Sequence, residues 1–174
     1  MSGEKLFDVT FDGVEMRPDD HLVLAPEAVD AALQAGALAR TAEMVGAAQK
    51  ILEITVEHAR TRVQGGRPIG SYQAVQHACA DLVRDVDASR GLVYLAAWKL
   101  DEGLEADGDV ATAKAYAGEA CLTVARRGHQ IFGAIGYCEE HPLHLLHKRI
   151  QAASVDFGDA GLHLETVART IGLR

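Results

Sequence analysis

Two clusters of residues in this chain have the types and spacing to do chemistry. The first is the stretch 62–73, which holds Arg62, Gln64, Gly65, Gly66, Arg67, Pro68, Gly70, Ser71, Tyr72 and Gln73. The three glycines permit backbone shapes that other residues avoid. Pro68 fixes its own φ and turns Arg67 away from helix. Ser71 is the expected N-cap of the helix that follows. Two guanidinium groups and free backbone N–H groups near a helix start make a place to hold an anion. The same residues also fit an ordinary helix–helix connection with two solvated arginines, and the local sequence leaves both readings open. The second cluster is His141, His144 and His147 with Glu139 and Glu140. His144 and His147 would share a helix face and could ligate a metal. A di-metal bundle site also needs inward carboxylates at fixed spacing on other helices. Glu43, Glu53, Glu57 and Glu119 are scattered, so no metal is expected. Cys79, Cys121 and Cys138 are odd in number and lack CxxC spacing. They read as free thiols in a reducing compartment, and nothing in the sequence argues for a reactive role at Cys138.

The elements that position these clusters are almost all helical. The chain has 174 residues, 48% of them hydrophobic, enough for one domain with a core. A net charge of −8 and a pI near 5.4 argue against nucleic acid or an anionic membrane as the main partner. No apolar run reaches the roughly 18 residues of a membrane span, and no signal segment follows the N-terminus. A cytoplasmic protein is expected. In residues 6–16, Phe7, Val9 and Phe11 alternate with Asp8, Thr10 and Asp12, and Asp12-Gly13 signals a turn. This predicts a short N-terminal β-hairpin, which needs a surface from elsewhere because a lone hairpin is marginal. Pro26 marks a helix start. Apolar residues then recur at three- and four-residue steps: Met44, Ala47, Ala48, Ile51, Ile54, Thr55 and His58 face inward on the first helix, to about residue 63. Later helices are expected over about 72–102, from 109 to between 128 and 133, over 142–157, and around 162–170. Asp81, Arg84, Asp85 and Lys99 read as the solvated side of the second helix. Tyr116 reads as inward on the third, and Tyr94 and Trp98 as packing residues. The fold class is all-α: an antiparallel four-helix bundle with a short N-terminal β-hairpin.

Four stretches, in order and spanning nearly the whole chain, carry a resemblance. They are Asp8-Val9-Thr10-Phe11-Asp12-Gly13-Val14; Ala42-Glu43-Met44-Val45-Gly46-Ala47-Ala48-Gln49; the turn 62–73; and residues 130–142, which include Gln130, Ile131, Phe132, Gly133, Ala134, Gly136 and Tyr137. Together they resemble the C-terminal part of the flavin-dependent acyl-CoA dehydrogenases. The resemblance implies that residues 1–24 are the remnant of a middle β-domain and 25–174 the C-terminal bundle. It also implies FAD bound across a subunit interface and 2,3-oxidation of an acyl-CoA, with a glutamate taking the α-proton and the flavin taking a hydride. Residue by residue, Arg62 would meet the FAD diphosphate, as its fork geometry suits, with Gln64, Tyr72 and Gln73 close by. Gln130, Ile131, Gly133 and Ala134 would line the adenosine side.

The departures from the family pattern shape the functional expectation. The family's usual catalytic glutamate falls on Phe157, and the alternative base position on the first bundle helix falls on Gly36. Neither can accept a proton. Positions that help hold substrate fall on Gln34 and Ala37, the turn's usual phenylalanine is Gly65, and a flavin-contacting patch is Asp159, Ala160 and Gly161. The pattern resembles non-catalytic subunits of heteromeric members. The expectation is a subunit that helps form an interface FAD site without its own base, in a homo- or hetero-oligomer with a fuller chain of the same family. Two alternatives stand beside it: a catalytic fragment using Asp156 or Asp159 as a displaced base, and a flavin-free bundle that only oligomerises.

Overall fold

The computed structural model describes residues 7–20 and 22–173. Five helices make up most of it: α1 (Pro26–Thr61), α2 (Gln73–Asp101), α3 (Asp107–Phe132), α4 (Leu143–Val155) and α5 (Ala160–Thr170). The first four form the bundle, their short connections turning consecutive helices antiparallel. α3 is the central element, packed against all four others, and α5 lies on α3. Local chemistry sets the boundaries. Pro26 occupies the first turn of α1 after an extended Ala25, where a missing N–H costs nothing. Asp107 and Asp109 open α3, where carboxylates complement the helix dipole. Asp159 caps α5 by accepting from the Leu162 N–H at 3.0 Å.

The core joins Met44 and Ile51 of α1, Leu82 and Val86 of α2, Val124 of α3, and Leu143 and Ile150 of α4, all fully buried. α3 contributes mainly small residues: Ala113, Ala117, Ala125 and Gly128. A β-carbon at Gly128 would lie 2.8 Å from Ile51 Cγ2, so α1 and α3 approach across a missing side chain.

Four expectations are corrected. Residues 7–16 contain no strand, and Phe7, Val9 and Phe11 are exposed; a period-two pattern makes a strand only when another strand pairs with it. Leu6, where the expected strand began, and residues 1–5 lie outside the described residues. The hairpin is instead in the α1–α2 connection, where β1 (Val63–Gln64) pairs antiparallel with β2 (Arg67–Pro68). Asp85 is 7% exposed because the neighbouring Arg84 guanidinium reaches it at 2.8 Å. Tyr116 is exposed, lying about 140° around α3 from buried Cys121 at 100° per residue. Tyr94 and Trp98 are 67% and 54% exposed, since Val93 and Ala96 take the inward positions of that part of α2.

Candidate functional site

The α1–α2 connection is built around two glycines and a tyrosine. Gly65 and Gly66 both have positive φ, +61° and +80°, the geometry of a two-residue hairpin turn of the primed type. The Ile69 N–H donates to Arg62 O at 2.8 Å and closes the loop at its base. Ser71 does not cap α2: its Oγ donates to Pro68 O at 2.7 Å, and the cap position is Tyr72. Tyr72 folds back onto the hairpin. Its hydroxyl donates to Gln64 O at 3.0 Å, and the Arg67 guanidinium lies 4.0 Å over its ring, a cation–π contact. A β-carbon at Gly65 would meet the Tyr72 hydroxyl at 2.5 Å. Gly70 rests on α1, where a β-carbon would sit 2.9 Å from Ala59 O.

A cleft of about 630 Å³ opens between this connection and the end of α3, lined by Gln64, Gly65, Ile69, Tyr72, Gln130 and Ile131 among others. Gln64 and Tyr72, 66 and 58 positions before Gln130 in sequence, thus share one cleft with it. Arg62, Gln73, Gly133 and Ala134 lie outside this lining, all exposed. Among the described residues the Arg62 guanidinium has no carboxylate partner. Gly133 ends α3 with φ +67° and ψ −143°, a conformation that essentially requires glycine.

The second place of interest joins α1 to the α4–α5 connection. Phe157 and Gly36 lie against each other. A β-carbon at Gly36 would be 2.6 Å from Phe157 Cζ and closer still to Cε1. A cleft of about 370 Å³ runs beside them, lined by Leu33, Gln34, Ala37, Phe157, Leu162 and His163 among others. Gln34 donates to the Asp107 carboxylate. Asp156 is held by Arg40, whose Nε donates to Oδ2 at 2.8 Å with a second bond from the same guanidinium. Asp159 is the α5 cap. Ala160 and Gly161 are the first residues of α5, with Gly161 exposed.

The family model described as the acyl-CoA dehydrogenase C-terminal domain matches residues 27–172. The chain belongs to the acyl-CoA dehydrogenase family. Acyl-CoA dehydrogenase IpdE2 of Mycobacterium tuberculosis is 41% identical over 118 residues, 68% of this chain and 36% of its own length. The short-chain-specific acyl-CoA dehydrogenase of Megasphaera elsdenii is 37% identical over 111 residues, covering 64% and 29%. The butyryl-CoA dehydrogenase structure from that organism superposes with a TM-score of 0.78 at 32% identity, covering 82% of this chain and 37% of that one. PigA, solved with FAD and proline, gives 0.79 at 28% identity, covering 82% and 37%. The chain therefore spans about a third of the length of such relatives.

Within this acyl-CoA dehydrogenase bundle, four histidines pack in two aromatic groups. His58 lies on Phe132 at 4.4 Å, Phe132 meets His141 at 4.4 Å, and His129 meets Tyr137 at 4.8 Å and His147 at 5.1 Å. His144 Nδ1 lies 2.8 Å from His141 O. Burial, first of all, pushes the pKa values of His58, His129 and His147 down, and the nearby Arg62, Arg126 and His141 add to this. Stability from these neutral rings is fully present above the ordinary imidazole pKa near 6.5. It is lost as pH falls through their lowered folded values, because the unfolded chain then binds more protons. The melting temperature is expected to fall between pH 7 and pH 5. His147→Gln should flatten that fall, and an unchanged slope would contradict the assignment.

Three functional-looking residues escaped the sequence reading: Lys114, Arg40 and His163. Lys114 is fully buried. Its position was legible, four residues after Val110 and three before Ala117 on the apolar face of α3, but its charge argued for solvent. No helix of the described residues is long and apolar enough to cross a membrane.

Proposed function

We propose that this chain forms one wall of an interface FAD site in an assembly that oxidises an acyl-CoA thioester at its α and β carbons, and that it brings no catalytic base of its own. The carrying observation is that Gln64 and Tyr72, from the α1–α2 connection, line one cleft with Gln130 and Ile131, from the end of α3. The side-chain set suits the cofactor. Arg62, which has no carboxylate partner among the described residues, offers a fork for a diphosphate, and the amides of Gln64 and Gln130 both donate and accept. The glycine turn lets backbone come close to a ligand. Bound FAD would supply the hydride acceptor. The remaining parts of the relatives' length, in the same polypeptide or another, would supply the rest of the site.

The second half of the reading rests on Phe157 against Gly36. A phenyl ring and a glycine meet where the family resemblance expects a carboxylate, and neither can hold a proton. The two neighbouring carboxylates have other partners: Asp156 binds Arg40 and Asp159 caps α5. A base supplied by a fuller chain of the family accounts for this better than a displaced aspartate.

The experiment is an FAD titration of the purified chain, followed by melting temperature and flavin fluorescence. A ligand that binds only the folded state must raise the melting temperature. Arg62→Ala should weaken FAD binding about tenfold, the loss of one charge-assisted interaction. No shift in the wild type at excess FAD would reduce the chain to a flavin-free assembly module. Turnover of an acyl-CoA by the chain alone, with FAD and a dye acceptor, would overturn the absence of a base.

A further inference from the structure

Residue 157 is held in an unusual way. Phe157 has φ +57°, and no other non-glycine residue described has positive φ. Left-handed backbone at such a residue is costly and persists only where the surroundings enforce it. Here they do so from three helices. From α3, the Lys114 ammonium donates to Ser154 O at 2.7 Å and to Gly158 O at 2.9 Å, the carbonyls on either side of Phe157. From α5, His163 Nε2 lies 3.0 Å from Phe157 O. From α1, Gly36 leaves the space the ring occupies. The following Gly158 has φ +99°, and a β-carbon there would lie 2.5 Å from Leu162 Cδ2.

Lys114 is an expensive way to hold a turn. It is 0% exposed, and burial pushes its pKa down, with Asp156 and Asp159 pulling it back up and Arg40 opposing them. An ordinary helix end needs only its own carbonyls satisfied. Ser154 O belongs to the last turn of α4, but Gly158 O lies beyond the helix, on the far side of the strained residue. A lysine has three donors on one rotating head and can bridge both.

We propose that Lys114 is the positioning residue for the Phe157 cleft: by tying the carbonyls of Ser154 and Gly158 together it fixes residue 157 over Gly36, so the wall of that cleft is set from α3. On the functional reading above, this wall is what the apolar end of a thioester would meet; the positioning itself does not depend on that reading. The family's base position is thus kept in place in a chain that has no base there.

The test is NMR on the labelled chain, well below its melting temperature. In the wild type the Gly36 Hα signals should carry a ring-current shift from Phe157 and show cross-peaks to its ring. In Lys114→Met, which keeps the apolar volume, both should vanish, and amide exchange over residues 158–162 should accelerate about tenfold or more while α1–α3 stay protected. A merely stabilising lysine would lower the melting temperature and leave these local signals unchanged, and that result overturns the proposal. Should the variant fail to fold, the wild type decides alone. Scalar couplings from Lys114 Nζ across hydrogen bonds to the Ser154 and Gly158 carbonyl carbons are expected, and their absence overturns it. Neither measurement uses flavin or thioester, so a chain that fails to bind FAD leaves this outcome standing.

Discussion

Lys114→Ala is expected to destabilise the bundle by about 3–5 kcal/mol. Two effects combine. Truncation removes a long, fully buried side chain from the N-terminal half of α3 and leaves a cavity. It also strips the charged donor from Ser154 O and Gly158 O, and an orphaned buried acceptor costs about 1–3 kcal/mol. Relief of the lysine's own desolvation offsets part of the sum. Lys114→Met should cost less, because it refills the volume and loses only the hydrogen bonds. Urea denaturation reads both, with a lowered midpoint at unchanged slope. An alanine variant within about 1 kcal/mol of wild type would mean that water replaces the ammonium at no cost.

The second large effect is expected at Gly36. Gly36→Leu should destabilise by about 3 kcal/mol, since the Phe157 ring already fills the space next to the α-carbon. The decisive comparison uses the smaller change. Gly36→Ala alone should destabilise, because even a methyl group overlaps the ring. In a Phe157→Ala background the same substitution should stabilise by roughly 0.5–1 kcal/mol, the usual gain of alanine over glycine inside a helix. The sign reversal measures the coupling between the two positions. Equal effects in both backgrounds would show that the ring swings aside freely.

That pairing shows what the sequence could and could not convey. The residues at 36 and 157 were each legible as departures from a family pattern, 121 positions apart by subtraction of their numbers. Their contact was not legible, because it depends on how α1 crosses the α4–α5 connection. The helices themselves were legible to within a few residues. Pro26 announced a start, and the glycines at 65 and 66 announced a break. The errors share a physical cause. Charge usually means surface, yet Asp85 is buried against the Arg84 guanidinium and Lys114 against the Ser154 and Gly158 carbonyls. The N-terminal alternation failed for the opposite reason. A strand is a property of a pair, and among the described residues nothing pairs with 7–16. Tyr72 shows a subtler limit. Its neighbour Ser71 has the better capping chemistry, but the phenolic ring bracing the hairpin decides where α2 begins.

The exposed side of α2 has a practical consequence. Trp98 is the sole tryptophan of the chain, and it stands more than half exposed, one turn beyond Tyr94. Its emission should be red and easily quenched by acrylamide in the isolated chain. Any subunit that covers this stretch would move the emission to the blue and shield it. The molecule thus carries an intrinsic optical reporter of its own association, readable at nanomolar to micromolar concentrations without a label, and silent to events inside the core.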